Sequence, residues 1–362
     1  MTILLVVAIL VFLIVIHELG HFALAKLFKV KVEEFGVGYP PRAFRLGVVN
    51  GTEYTLNWIP FGGFVRLLGE NADAPKEKGS FAVAPRYVQA LILVAGVVMN
   101  LVAGWALFAG ALYAGIPHAV APEDSHGQAR LVVSAVIPGS PAGASDMIPG
   151  DEILSVSDAT TKAEAQLTPE SVIEFVRSRG GKPIDIRTLR GAEEIETKIY
   201  PAHSVIAEEA SRPAVGLGLV LVENDPLPLL EAMRVAMPMT IDKLLVVADG
   251  LLGIFRNALD GAPALQGIVG PVGLVGVVGE ASQHGIGTIL ALAGFISINL
   301  VIVNLLPIPA LDGGRLFILA LESVIRRDAP RIIVAALNSV GIVAIIVLMI
   351  TVTYNDIVRL FI

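Results

Sequence analysis

Residues 3–21 read ILLVVAILVFLIVIHELGH, so the apolar run Ile3 to Ile16 leads without a charge into His17-Glu18-Leu19-Gly20-His21. The run predicts a helix at the length scale of a bilayer. On a helix, positions i and i+4 share a face, so His17 and His21 can reach one zinc ion together. Glu18 between them is placed to act as general base on a water that the metal activates. Ionisable groups inside a membrane are costly and mark functional sites. The run has no basic leader and no small-residue cleavage site, and the motif occupies the place where cleavage would fall, so it reads as a retained span.

The rest of the composition agrees with a membrane protein that carries some soluble mass. Of 362 residues, 54% are hydrophobic and 16% charged, against about 25% charged in soluble domains, and the mean hydropathy is +0.74. The net charge of −7 argues against nucleic-acid binding, and without cysteine there is no disulfide framework or thiolate metal site.

Four segments are long and apolar enough to span: Thr2 to Lys26, Tyr87 to Ile116, Ile286 to Leu306 and Ile332 to Thr353. Leu229 to Leu259 is interrupted by Arg234, Asp242, Lys243, Asp249 and Arg256, and reads as an amphipathic helix at the interface or against the bundle. The expected fold class is therefore a polytopic α-helical membrane protein with a membrane-associated β-hairpin and an inserted α+β domain. Residues 1–116 form the first half of the membrane core, with the hairpin region at 30–70. Residues 117–225 form the inserted domain, 226–285 an amphipathic linker, and 286–362 the second half of the core. Within the insertion, strands are expected at 130–137, 152–156, 183–189 and 193–200, a short helix within 138–147, and a helix at 169–179.

Basic residues near the spans set the orientation. The loop 26–89 has nine Lys and Arg against six Asp and Glu, whereas 117–228 has nine against seventeen. Arg315, Arg326, Arg327 and Arg331 follow the third span. The basic loops then face the cytoplasm, and the acidic insertion lies outside.

Two histidines leave zinc short of a protein ligand, since catalytic sites usually have three. The best region for the third is Asn304-Leu305-Leu306-Pro307-Ile308-Pro309-Ala310-Leu311-Asp312-Gly313-Gly314. Its prolines break the helix, and broken backbone at membrane depth is tolerated where it is buried or lines a wet cavity. Asp312 is the candidate ligand, against an ordinary Asp-Gly-Gly turn at a helix end. His118, His126, His203 and His284 lack metal spacing with one another.

The two motifs together resemble the site-2 protease family of intramembrane zinc metalloproteases, of the bacterial regulator-of-sigma-E protease type. That family pairs His-Glu-x-x-His with a later Asn-x-x-Pro-x-x-x-x-Asp-Gly, here His17 to His21 and Asn304 to Gly313. Its membrane-reentrant β-hairpin matches Glu53 to Glu70, and its second-span Gly-x-x-x-Asn matches Gly96 to Asn100, with Gly96-Val97 in place of the frequent Gly-Pro. Ile137 to Ala142 and Pro149 to Leu154 resemble the turns of a PDZ domain. One such module is found where some relatives carry two.

The resemblance implies one zinc per chain on His17, His21 and Asp312, with Glu18 as base. Gly62, Gly63, Asn100, Asn304 and Pro307 become candidate substrate contacts. Asn100 and Asn304 are equally open to interhelical hydrogen bonding. Gly216-Leu217-Gly218-Leu219 resembles the peptide-binding loop of a circularly permuted PDZ domain, although a plain Gly-rich strand fits as well. The implied substrates are single-span membrane proteins, such as anti-sigma factors or signal-peptide remnants, in the bilayer of a bacterial cytoplasmic membrane, with the PDZ domain as size filter. Removing 128–202 would then admit untrimmed substrate. A membrane-anchored peptidase for soluble proteins would need its third ligand in a soluble segment. A non-proteolytic PDZ scaffold would be expected to lose Glu18 or Asp312.

Overall fold

The computed structural model describes residues 2–70, 77–124, 129–158, 162–163, 167–191, 193–203, 205, 212–260, 269–327 and 329–361. His126 lies outside them. In chain order the main elements are α1 (Thr2–Leu27), β1 (Val32–Val49), β2 (Thr52–Leu67), α2 (Arg86–Tyr113), β3 (His118–Val120), β4 (Arg130–Val136), β5 (Glu152–Ser157), β6 (Lys162–Ala163), α3 (Pro169–Arg177), β7 (Ile184–Arg190), β8 (Glu193–Ile199), β9 (Leu217–Glu223), α4 (Leu229–Leu259), α5 (Pro271–Gln283), α6 (Ile286–Leu305), α7 (Asp312–Ile325) and α8 (Arg331–Phe361). They divide into one unit of Met1–Ala114 with Leu227–Ile362, and another of Gly115–Pro226.

In the first unit, α1, α2, α6 and Ile332–Val358 of α8 are long and apolar enough to cross a membrane. At 26 residues and about 1.5 Å per residue, α1 exceeds the roughly 30 Å hydrocarbon core. It buries Val6, Ile9, Leu13, His17, Gly20, His21 and Ala25, a three-and-four spacing that puts both motif histidines on its packed face. It ends where Lys29 turns left-handed (φ 59°) and Val30 N–H reaches back to the Ala25 carbonyl at 2.8 Å, a Schellman-type stop. A Cβ on Gly20 would lie 2.3 Å from the Ala95 carbonyl oxygen, so small residues set how closely α1 and α2 cross.

The hairpin occupies Val32–Val49 and Thr52–Leu67. β1 runs on through Pro40 and Pro41 and turns into β2 at Asn50-Gly51, whose φ values of 50° and 76° suit the tight two-residue hairpin turn. β1 pairs antiparallel with β2, Val49 with Thr52 at the turn and Val32 with Leu67 at the far end. The ladder also sets Val37 against Gly63 and Arg42 against Asn57, with breaks in register between. Val32, Phe35, Val65 and Leu67 pack with Ala25, Val88 and Ile92, which seats the hairpin on the ends of α1 and α2.

The connection expected between the third and fourth spans is instead the helix α7. Pro307 and Pro309 stop α6, and Asp312 opens α7 after Leu311. Gly313-Gly314 is not a turn here. A Cβ on Gly313 would sit 2.3 Å from the Leu306 carbonyl oxygen, and one on Gly314 2.2 Å from that of Ile308, so both glycines let α7 lie flat on the broken segment. Gly314→Ala is expected to shift the start of α7, costing about 1–3 kcal/mol as overpacking and loosening Asp312. A lower unfolding midpoint in detergent together with a reduced zinc content would show it.

The second unit is a seven-stranded sheet in the order β3-β9-β4-β5-β7-β8, with β6 on β5. It packs with α3 over Leu131, Val133, Ile153, Val156, Val172, Phe175, Ile184 and Ile186. Thr168 and Ser171 cap α3 reciprocally. Pro138 to Asp146 forms turns and a bend rather than the expected short helix, with Gly139 left-handed (φ 76°), a conformation that a right-handed helix does not contain.

Arg190 Nε and Nη2 donate to buried Asp151 at 2.8 and 2.9 Å. These bonds hold the Asp151 carboxyl below the usual carboxylate range, against the opposing effect of burial. A depressed pKa adds stability that is complete above the unfolded value, about 3.9, and is lost as pH falls through the folded one. Hydrogen exchange in 115–226, corrected for intrinsic rates, is therefore expected to accelerate below about pH 4, and less steeply in Asp151→Asn.

Candidate metal centre

α1 and the start of α7 bring three ligand side chains to one point, His17 and Asp312 being 295 residues apart in sequence. His17 Nε2 lies 2.9 Å from Asp312 Oδ2, His21 Nε2 lies 3.2 Å from the same oxygen, and the two Nε2 atoms are 3.2 Å apart. Zinc bonds of about 2.0–2.1 Å at tetrahedral angles put ligand atoms about 3.3 Å apart, close to these separations. Both histidines are buried and Asp312 is partly so. His21 Nδ1 donates to the Ile92 carbonyl at 2.8 Å, which leaves its Nε2 lone pair facing the cluster. Two nitrogen lone pairs and a carboxylate converging on one spot fit a cation, and this donor set suits zinc.

Glu18 lines a cavity of about 320 Å³ with His21, Gly63, Glu70, Asp312 and Arg315. Glu18 stands outside the ligand cluster, free to handle a proton. Gly63 packs over it, since a Cβ there would lie 3.3 Å from Glu18 Cγ. Gly62 is left-handed (φ 113°), and its Cβ would run into the Tyr39 ring at 2.1 Å. Gly63 thus lets β2 lie close to α1, while Gly62 makes room for Tyr39 of β1.

The other sequence candidates fall into different places. Asn100 is fully buried and its Nδ2 lies 3.2 Å from His17 Nδ1, against a metal ligand. Asn304 is half-buried in the last turn of α6 and Pro307 is exposed, and neither is among the residues lining the cavity. Gly216, in the second unit, is left-handed (φ 84°) and packs against Ser140, and Leu217, Gly218 and Leu219 open β9.

Two charged residues of the cavity were not singled out for a role from sequence. Arg315 pairs with Glu70, tying the end of the hairpin to α7. Burial would pull the Arg315 guanidinium down, but the surrounding carboxylates, Glu70 first and then Asp312 and Glu18, together more than offset this. The available signal was spacing, because Arg315 follows Asp312 by three residues and shares its face of α7.

Comparison with known proteins gives the same reading of the whole chain. The family model described as peptidase family M50 matches residues 5–348. A candidate zinc metalloprotease of Clostridium perfringens is 32% identical over 346 residues, 96% of this chain and 95% of that protein. Another, from Nostoc, is 29% identical over 356 residues, 96% of this chain and 93% of the other. A chloroplastic membrane metalloprotease of Arabidopsis thaliana is 26% identical over 331 residues, 88% of this chain and 70% of the relative. Among solved structures, the PDZ domain of an SdrC-like protein from Listeria monocytogenes aligns with 25% of this chain and 85% of its own, at 18% identity and a TM-score of 0.21. With its apolar helices, its zinc-type ligand set and its match over nearly the full length, the chain belongs to peptidase family M50, as a membrane zinc metalloprotease.

Proposed function

We propose that this protein is an intramembrane endopeptidase that hydrolyses peptide bonds within single-span membrane segments. The observation that carries this reading is the position of His17, Glu18 and His21 on a membrane-length apolar helix, with Asp312 brought beside them. His17, His21 and Asp312 would hold the zinc, which when bound would supply Lewis acidity and lower the pKa of a water toward neutrality. Glu18 takes the proton of the attacking water as its oxygen bonds to the carbonyl carbon. The same carboxyl then delivers that proton to the departing amine nitrogen as the C–N bond breaks.

A transmembrane helix is a poor substrate while its carbonyls are hydrogen-bonded internally, so it must unwind locally. Gly63 to Leu67 supports a capture step. This stretch pairs with Val32 to Val37, and Gly63, Phe64, Val65 and Leu67 line the cavity beside Glu18. An unwound substrate segment adds there as a further strand. The exposed Phe44, Leu46 and Trp58 of the hairpin suit immersion in the bilayer. Asn304 and Pro307 remain candidates for contact with substrate further along the chain.

The unit Gly115–Pro226 is assigned the role of substrate filter, as a permuted PDZ domain outside the membrane, with the catalytic end toward the cytoplasm of a bacterial inner membrane. The basic residues close to the spans at the catalytic end, Lys26, Lys29, Lys31, Arg86 and Arg315, support that side, and α3 packing against β9 supports a peptide groove. β9 pairs with β4 from Leu217 to Val222 and with β3 only from Leu221 to Glu223, so excising 128–202 would leave Leu217 to Val220 without a ladder partner; the whole unit is the part to remove. Anti-sigma factors and signal-peptide remnants are the substrate classes proposed. In proteoliposomes, wild type is expected to cut a single-span substrate only after its outer domain is trimmed, and the variant lacking 115–226 to cut both forms. Unchanged selectivity would argue against the filter, and activity indifferent to zinc chelation would argue against the enzyme.

A further inference from the structure

Asn100 was a candidate substrate contact, yet its amide meets a metal ligand instead. Its Nδ2 lies 3.2 Å from His17 Nδ1, while Oδ1 is buried without a partner. If His17 Nε2 turns its lone pair to zinc, the neutral ring must carry its proton on Nδ1. Two donors then face each other. Exchanging the two nearly isosteric ends of the amide resolves this, because Oδ1 then accepts from Nδ1–H. One end of the amide is unpartnered in either orientation, but a donor–donor contact becomes a hydrogen bond.

The same arrangement recurs two turns away on the same helix. His21 Nδ1 donates to the Ile92 carbonyl at 2.8 Å. Ile92, Gly96 and Asn100 are spaced i, i+4 and i+8, along one face of α2. A Cβ on Gly96 would sit 2.4 Å from His21 Nε2 and 2.7 Å from His17 Cε1, so its missing side chain is the space in which both rings stand. Ser297 Oγ donates to the Asn100 carbonyl at 2.7 Å, which anchors this turn of α2 to α6.

We propose that this face of α2 is the outer shell of the metal centre, with the Ile92 carbonyl fixing His21, Asn100 Oδ1 fixing His17, and Gly96 holding the space between. Asn100 is then a positioning residue for zinc rather than a donor to substrate. The inference rests on the zinc assignment above. Partners that orient a ligating imidazole typically contribute 10–100-fold in metal affinity or activity.

The test is the rate at which zinc-loaded, full-length protein in detergent gives up its metal to a chromogenic chelator. Asn100→Leu keeps the approximate volume without the acceptor, and is expected to release zinc about 10–100-fold faster than wild type. Asn100→Asp can accept but not donate, and is expected to release zinc no faster than wild type. Ser297→Ala removes a neighbouring buried hydrogen bond at the same helix contact and is expected to match wild type, which separates positioning from general loosening of the fold. Should Asn100→Leu fail to fold, Asn100→Asp still decides, because a donor role predicts rapid loss from it. Release from Asn100→Leu at the wild-type rate, or from Asn100→Asp as fast as from Asn100→Leu, would overturn the proposal. A wild type that takes up no zinc would overturn the metal centre itself, and this inference with it.

Discussion

Asp312→Ala is expected to bring the zinc content from about one per chain, as catalytic zinc sites require three protein ligands, to well below that after dialysis, and to abolish proteolysis. Asp312 Oδ2 is the point on which both Nε2 atoms converge, so its loss leaves two histidines and no carboxylate. The fold is expected to survive. Asp312 is the acidic residue in the first turn of α7, and an acid there contributes about 0.3–1 kcal/mol through the helix dipole, too little to unfold a membrane core. Metal analysis beside an unfolding curve separates the two effects. Full zinc occupancy with wild-type retention in Asp312→Ala would mean that the third ligand lies elsewhere.

The second large effect is expected at Glu18 and has the opposite metal signature. Glu18→Gln keeps the shape of a side chain that lines the cavity but stands outside the ligand cluster. Zinc content is expected to stay at the wild-type value, while turnover falls by about 10²–10⁴-fold, the usual worth of a positioned general base. Loss of zinc from Glu18→Gln would instead make Glu18 a ligand and leave the base unassigned.

Some of this was legible because the physics is local. An unbroken apolar run of bilayer length is visible without any tertiary contact, so the four membrane-length helices are readable directly. So is the i, i+4 histidine pair, since one helix places both rings. Asp312 was legible for a different reason: prolines at membrane depth need a purpose, and a nearby acid supplies one.

What was hidden depends on contacts between distant segments. Gly313-Gly314 reads as a turn, yet both glycines serve the close seating of a helix on Leu305 to Pro309, so the sequence alone suggests a loop where α7 stands. β1 continues past Pro40-Pro41 to pair with Thr52 to Asn57, a pairing set by contact between the two arms and not by local sequence. The partner of His21 is a backbone carbonyl, which no residue type announces. In sequence Arg315 is only a positive charge near a span, and its ion pair with Glu70 appears only once the hairpin is folded against α7.

The proposed cut falls inside a membrane segment, and the position of the cleaved bond tests this most directly. Purified wild type and Glu18→Gln are incubated in detergent with a single-span helix lacking its outer domain, and the products are mapped by mass spectrometry. Cleavage by wild type alone, at bonds within the apolar segment, is the predicted result. Cleavage confined to the polar flanks, or equal cleavage by both proteins, would contradict it.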